Sequence, residues 1–435
     1  MDNPVSVFWF RRDLRLQDNK GLFEALQGPY PVLPIFIFDP EILDGLPADD
    51  ARVTIIYGQL QEIRKQLQHR CGSSVALLHG EIIPVFGQLA KDFEIRAVYT
   101  NHDYEPYARQ RDTYVGQWLD KMGIPFHTFK DQVLFEKDEV VKEDGDPYVV
   151  YSPYMRKWKQ ALRESGGPKT YPSQDHLKNL IPHSRLPNPS LADLGFLPSS
   201  LKLPEYDLEP QMIRDYQQNR NFPSRKGTSR LGPYLRFGIL SVREIVREAM
   251  SVRNETFLNE LIWREFFMQI LWHYPNTVHE AFKKKYDRIE WRNDQEEFDR
   301  WKQGKTGYAL VDAGMRQLNA TGYMHNRVRM LVASFLCKHL LIDWRWGEAY
   351  FGEKLLDYEL SSNVGNWQWA AGSGVDAAPY FRIFNPMTQV VKFDKDREFI
   401  REWVPELDTD NYPAPMVDHK AARERCLEVY KAAVG

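Results

Sequence analysis

Cysteine is nearly absent from this chain. The 435 residues hold three, Cys71, Cys337 and Cys426, too scattered for a disulfide framework or a zinc site. A reducing compartment, the cytoplasm, is therefore expected, and no metal centre. Long apolar runs are missing as well: nowhere do eighteen apolar residues follow one another, and MDNPVSVFWFRRDLRL has no stretch fit for a secretory leader. Membrane association is not expected. Net charge is small, with 57 Lys+Arg against 60 Asp+Glu. Its partition is uneven: residues 1–210 carry 24 basic against 30 acidic side chains, and residues 211–435 carry 33 against 30. A mildly basic second half binds nucleic acid only if its charges gather on one face. Finally, no G-x-G-x-x-G follows the first apolar run, so the usual dinucleotide fingerprint is lacking there.

What is present divides in two. A chain of this length exceeds one ordinary core, so two domains are expected. Over the first 130 residues short apolar runs (5–10, 32–38, 75–78, 97–100, 126–129) alternate with amphipathic stretches (19–26, 52–70, 82–93, 107–122). That alternation predicts a doubly wound α/β fold with a five-stranded parallel sheet. Residues 131–210 lose the pattern, and SGGPKTYPSQ and PHSRLPNPS mark them as a connector between domains. From residue 211 to 435 helical periods dominate (242–252, 256–272, 296–303, 308–321, 327–341, 347–356), which predicts an all-α second domain.

Tryptophan concentrates in that helical half, where nine of twelve lie between Trp263 and Trp403. Singly, each reads as core. Four motifs surround them. KGTSRLGPYLRFG offers the hydroxyls of Thr228 and Ser229, and backbone N–H groups through Leu231 and Gly232, ahead of a helix; this suits a phosphate, and equally an ordinary cap. In NELIWREFFMQILW, Glu260, Trp263, Phe267 and Ile270 share a helix face, either as a carboxylate beside a stacking indole or as plain core. TGYMHNRVRMLVASF projects Asn326, Arg329 and Met330 from one helix, with Asp357 as a partner for Arg329. LLDYELSSNVGNWQWAAGSGVDAAPYFRIFNP reads as a loop of small and aromatic residues, punctuated by Asn363, Trp367 and Trp369, that lets backbone approach a ligand.

FWFRRDLRLQDN, GTSRLGPYL, ELIWREF, GKTGYALVDAGMRQLNATGYMHNRVRM and NWQWAAGSGVDAAPYFRIFNP together resemble the cryptochrome/photolyase family, over nearly the whole chain and in order. Within it the chain looks most like bacterial class I members that repair cyclobutane pyrimidine dimers. The resemblance implies FAD in the helical domain. Tyr216, Thr228, Ser229 and Leu231 match its phosphate contacts, with Gly232 where relatives often carry Ser. Arg329 and Asp357 match a pair beside the isoalloxazine, and Asn363 matches the residue facing flavin N5. Glu359 stands where many bacterial members have Asp. Glu260, Trp263, Asn326, Met330 and Trp369 match the pocket for a flipped dimer, and Trp367, Trp344 and Trp291 match an electron relay. Arg327 and Arg382 match DNA contacts, with Arg225, Lys226, Lys392 and Arg397 as looser candidates.

The implied activity is light-driven dimer repair by an electron from excited reduced FAD, in a monomeric cytoplasmic enzyme acting on damaged DNA. A blue-light receptor of cryptochrome type is the alternative, though such receptors usually add a disordered tail and this chain stops soon after its last helix. A light-independent flavin oxidoreductase comes third, since nothing resembles a nicotinamide site. A second, antenna chromophore is common in the family. Folate-binding relatives carry an Asn-Glu pair where NHDYEPYARQRD places Tyr107 and Ala108, which leaves a deazaflavin, a flavin or no antenna.

Overall fold

The computed structural model describes residues 4–252 and 254–435, and the chain divides into two compact units. The first comprises residues up to Glu136, with Ala161–Leu203 and Leu231–Glu248; the second comprises Lys137–Gln160, Pro204–Arg230 and Ala249–Gly435.

In the first unit five strands, β1 (Pro4–Phe10), β2 (Val32–Phe38), β3 (Ala76–His79), β4 (Glu94–Asn101) and β5 (Phe126–Phe129), form a parallel sheet of order β3-β2-β1-β4-β5. Helices α1 (Lys20–Leu26), α2 (Ala51–Cys71), α3 (Ile82–Asp92) and α4 (Pro106–Lys121) alternate with them. The central strands are apolar on both faces because both faces are covered. Val7 and Trp9 of β1 and Ile35 of β2 join Phe86 of α3 and Val115 of α4. Phe8, Phe10 and Phe36 point the other way, into Leu22 of α1 and Leu60 of α2. The expected strands and helices are all found, with ends shifted by at most three residues. Caps account for several ends: Asn19 accepts from Leu22 N ahead of α1, Pro106 opens α4, and Gly72 closes α2 at φ 68°.

A buried ion cluster lies in the same unit. Arg15 and Arg243 both reach Asp131, at 2.6 and 2.9 Å, and Arg243 also reaches Asp18 at 3.0 Å. Burial pushes the Asp131 carboxyl up, but the two guanidiniums outweigh it and hold it at about 2. Residues 131–210, read as a connector, are shared between the units. They also contain a helix, Tyr151–Glu164, which the sequence reading did not anticipate.

The second unit is helical. α5 (Glu255–His273), α6 (Ala309–Thr321), α7 (Asn326–Ser334), α8 (Trp344–Lys354), α9 (Leu360–Ala371) and α10 (His419–Val434) are among its helices, and α7 runs on through one π-helical turn, Phe335–His339. Leu310, Met315, Val328, Val332, Leu336, Trp344, Phe351 and Trp367 build its main core. One expectation is overturned here: the small and aromatic run around Asn363 is not a loop but α9. Its Gly365 is an approach point, since a Cβ there would lie 2.2 Å from Phe267 of α5. Gly372, at φ 92°, ends the helix. No helix among the described residues is long and apolar enough to cross a membrane.

Candidate active site

A cleft in the second unit, enclosing about 600 Å³ of non-protein space that is partly open to solvent, is walled by α7, α8, α9 and the turn between the last two. Asn326, Arg329, Met330, Asp357, Glu359, Asn363, Trp367 and Trp369 all line it. Helical spacing explains the first wall: Asn326, Arg329 and Met330 lie three and four residues apart on α7 and share a face. α7 starts sharply because His325 caps it, its Nδ1 accepting from Arg327 N at 3.1 Å. Burial first, and then the charges of Arg329 and Arg327, pull the His325 imidazole down to about 4. It is neutral at physiological pH, which leaves the hydrogen on Nε2.

Arg329 grips Asp357 fork to fork, Nη1 to Oδ1 at 3.1 Å and Nη2 to Oδ2 at 2.9 Å, while its Nε donates to Met324 O at 2.7 Å. Burial disfavours the guanidinium, but the carboxylate outweighs it and holds Arg329 above its ordinary value. On α9, Asn363 donates from Nδ2 to Glu348 on α8, both to its carbonyl oxygen (3.1 Å) and to Oε1 (2.9 Å). Glu348 was not anticipated from the sequence; a lone glutamate on a helix gives no signal before the fold places it.

Two members of the expected lesion pocket lie outside the cleft lining. Trp263 stacks on Tyr151 at 3.6 Å between ring centroids, 5° from parallel, and packs on Phe267 on the α5 side. The Tyr151 hydroxyl donates to Asn259 O at 2.8 Å, which fixes the stack. Glu260, one turn before Trp263, is paired with Arg220, another residue without a sequence signal. Tyr216 sits edge-on to Phe257, with the Arg220 guanidinium 5.3 Å from its ring. Thr228 and Ser229 follow Gly227, where a Cβ would lie 2.5 Å from that of Asn219, so only glycine fits. Their hydroxyls make no hydrogen bond among the described residues. Leu231 and Gly232 are counted with the first unit.

Trp367 and Trp344 are buried in one core and Trp291 packs at its edge. Gly347, one turn along α8 from Trp344, lets the Trp367 ring lie flush: a Cβ there would be 2.1 Å from it. Trp301, which no motif singled out, meets Trp367 edge to face at 6.2 Å. Arg327 donates to Asn221 and lies over Phe393 at 4.4 Å, and Arg382 lies over Phe384 at 5.6 Å. No cluster of three or more His, Cys, Asp or Glu able to hold a metal occurs among the described residues.

The first unit has its own cavity, enclosing about 980 Å³ of non-protein space that is partly open to solvent, at the carboxyl ends of β1 and β2, the side on which open α/β sheets bind ligands. Trp9 lies there with the guanidiniums of Arg11 and Arg111 at 5.0 and 4.9 Å, and Tyr107 donates to Asp39. Ala108 also lines it, and Arg12, Asp103, Glu105 and Arg236 add to its polar side.

Two family profiles match the chain: one described as DNA photolyase over residues 6–174, and one described as the FAD binding domain of DNA photolyase over residues 257–410. The deoxyribodipyrimidine photo-lyase of Halobacterium salinarum is 36% identical, over 99% of this chain and 100% of its own length. That of Vibrio cholerae is 37% identical, over 99% and 100%. Among solved structures, a bacterial class III photolyase from Agrobacterium tumefaciens aligns with a TM-score of 0.88 at 32% identity, covering 100% of this chain and 98% of its own. An archaeal photolyase from Sulfolobus tokodaii, solved with two FAD molecules, aligns at 0.83 and 33% identity, over 98% and 100%.

Proposed function

The chain belongs to the DNA photolyase family, and we propose that it repairs cyclobutane pyrimidine dimers in DNA with light, using FAD held in the cleft of its second unit. It is an enzyme of the deoxyribodipyrimidine photo-lyase type, a carbon–carbon lyase. One observation carries the reading: a single cleft gathers the residues assigned to the flavin (Arg329, Asp357, Asn363) and three of those assigned to the dimer (Asn326, Met330, Trp369).

The residues present fit FAD. Small side chains at Ala333 and Ala370 leave room beside a flat aromatic wall, and the polar groups stand at the edges, as a planar heterocycle requires. When bound and reduced, FAD supplies the electron that light drives onto the dimer. The protein's part is placement. Arg329 and Asp357 would hold the ring, Asn363 would stand at N5, and Tyr216, Thr228 and Ser229 would hold the phosphates. A dimer inside a duplex is out of reach, so it is extruded, at reduced cost because a damaged step stacks poorly. Asn326 and Met330 meet its bases and Trp369 walls it. Trp263 joins that wall when the dimer displaces Tyr151 from its face. Glu260 contacts the base edges, and Arg220 offsets its charge so that the dimer can accept negative charge nearby. Arg327 and Arg382 hold backbone phosphates. Trp367, Trp344 and Trp291 carry electrons inward when oxidised FAD is photoreduced, apart from repair itself.

The cavity of the first unit is the place for a second chromophore. Tyr107 and Ala108 line it in place of a folate-binding pair, which leaves a flavin, a deazaflavin or no antenna. The enzyme works as a cytoplasmic monomer. The deciding experiment adds an oligonucleotide with one thymine dimer to the reduced protein under blue or near-UV light. Recovery of thymine only in the light is expected; no recovery despite bound, reducible FAD would overturn the reading.

A further inference from the structure

Asn363 spends its carboxamide on one side. Nδ2 meets two acceptors, both supplied by Glu348, while Oδ1 accepts no hydrogen bond among the described residues. An amide has one end that only donates and one that only accepts. Turned over, it would set Oδ1 against a carbonyl oxygen and a carboxylate oxygen at about 3 Å. Two hydrogen bonds would become two repulsions. Glu348 is itself held, since the Tyr358 hydroxyl donates to the same Oε1 at 3.2 Å. Glu348 is not in the cleft lining and Asn363 is, so the donor end turns toward α8 and the acceptor end stays with the cleft.

We propose that Glu348 is a positioning residue that locks Asn363 with Oδ1 toward the cleft, so that the site offers the flavin N5 an acceptor. This rests on the reading above that Asn363 faces N5. Two-electron reduction of a flavin places a proton on N5, whereas oxidised N5 has only a lone pair. An acceptor therefore favours the reduced form and opposes the oxidised one. Glu348, which touches neither flavin nor DNA in this scheme, thereby sets the redox state the pocket prefers. Burial pushes the Glu348 carboxyl up, and the hydrogen bonds from Asn363 and Tyr358 and the charge of His279 oppose that rise. A raised carboxyl still accepts through its unprotonated oxygen.

The test uses the FAD-loaded protein and needs no DNA. The oxidised-to-reduced ratio of bound FAD is read at a series of fixed potentials with mediators, together with reoxidation in air in the dark. Glu348→Gln, isosteric but able to donate as well as accept, is expected to shift the ratio at least threefold toward oxidised FAD and to speed reoxidation similarly. Glu348→Leu is expected to do at least as much. If Glu348→Gln loses FAD, Glu348→Asp, which withdraws the carboxylate by one methylene, is read in the same way. Unchanged ratios in the Glu348 variants, alongside a shift in Asn363→Leu, would overturn the inference alone. Unchanged ratios in Asn363→Leu would overturn the assignment of Asn363 to N5 and the inference with it. In an Asn363→Leu background Glu348→Gln should add nothing; a further shift there would mean that Glu348 acts by charge and not through the amide, and would overturn the proposal.

Discussion

Single residues in this protein are decided by what stands behind them. Asn363 was legible in the sequence as a polar residue among small and aromatic ones. The partner that orients it, fifteen residues away on another helix, was not. Asn363→Asp replaces the donor end with oxygen and adds charge beside Glu348. The reduced flavin should then be less stable, seen as faster reoxidation in the dark, and unchanged redox behaviour would remove the N5 assignment. His325 was legible as part of Met-His-Asn-Arg, but its role as the cap of α7, buried and neutral, needed the fold. Its folded value of about 4 lies below the ordinary 6.5, so the unfolded chain binds more protons between those values. Stability contributed by neutral His325 is present above pH 6.5 and is lost as pH falls toward 4, by roughly 2 kcal/mol from pH 7 to pH 5. His325→Asn keeps a capping side chain without the titration. Urea unfolding of that variant at the two pH values should show a clearly smaller loss.

Among elements, the α/β strands and helices could be read from period alone, because each is apolar where it packs and several are bounded by a cap or proline. α9 defeated the same reading. Its glycines and small residues look like a loop, yet they serve contact between helices: Gly365 admits Phe267. Gly347 does likewise on α8 for Trp367 and Leu336, where a Cβ would fall at 2.1 and 2.6 Å. Gly347→Ala should overpack this contact and cost about 1–3 kcal/mol, checked as a lower urea midpoint and weaker FAD retention. Trp367→Phe keeps an aromatic ring while removing the readily oxidised indole. It should abolish photoreduction and spare repair by chemically reduced enzyme; surviving photoreduction would transfer the relay to another path, with Trp301 a neighbouring indole at 6.2 Å.

For the whole molecule, the small net charge says little about affinity for DNA. Binding through Arg327, Arg382 and neighbouring cations predicts an affinity that falls linearly with salt on a log-log plot, with a slope near −0.9 per phosphate neutralised on duplex DNA. Arg382→Gln should make that slope shallower by about one, and an unchanged slope would take Arg382 out of the footprint. The sequence by itself determined the two-part architecture, the parallel sheet and the motifs of the proposed flavin and lesion site. These follow from periodicity and from residue types, which are local properties of the chain. Only the tertiary structure decided that Trp263 stacks on Tyr151, that Arg220 pairs with Glu260, that Asp131 belongs to a buried ion cluster, and that Glu348 holds Asn363. Each is a contact between separate segments, and the pattern within a segment carries no information about which distant partner completes it.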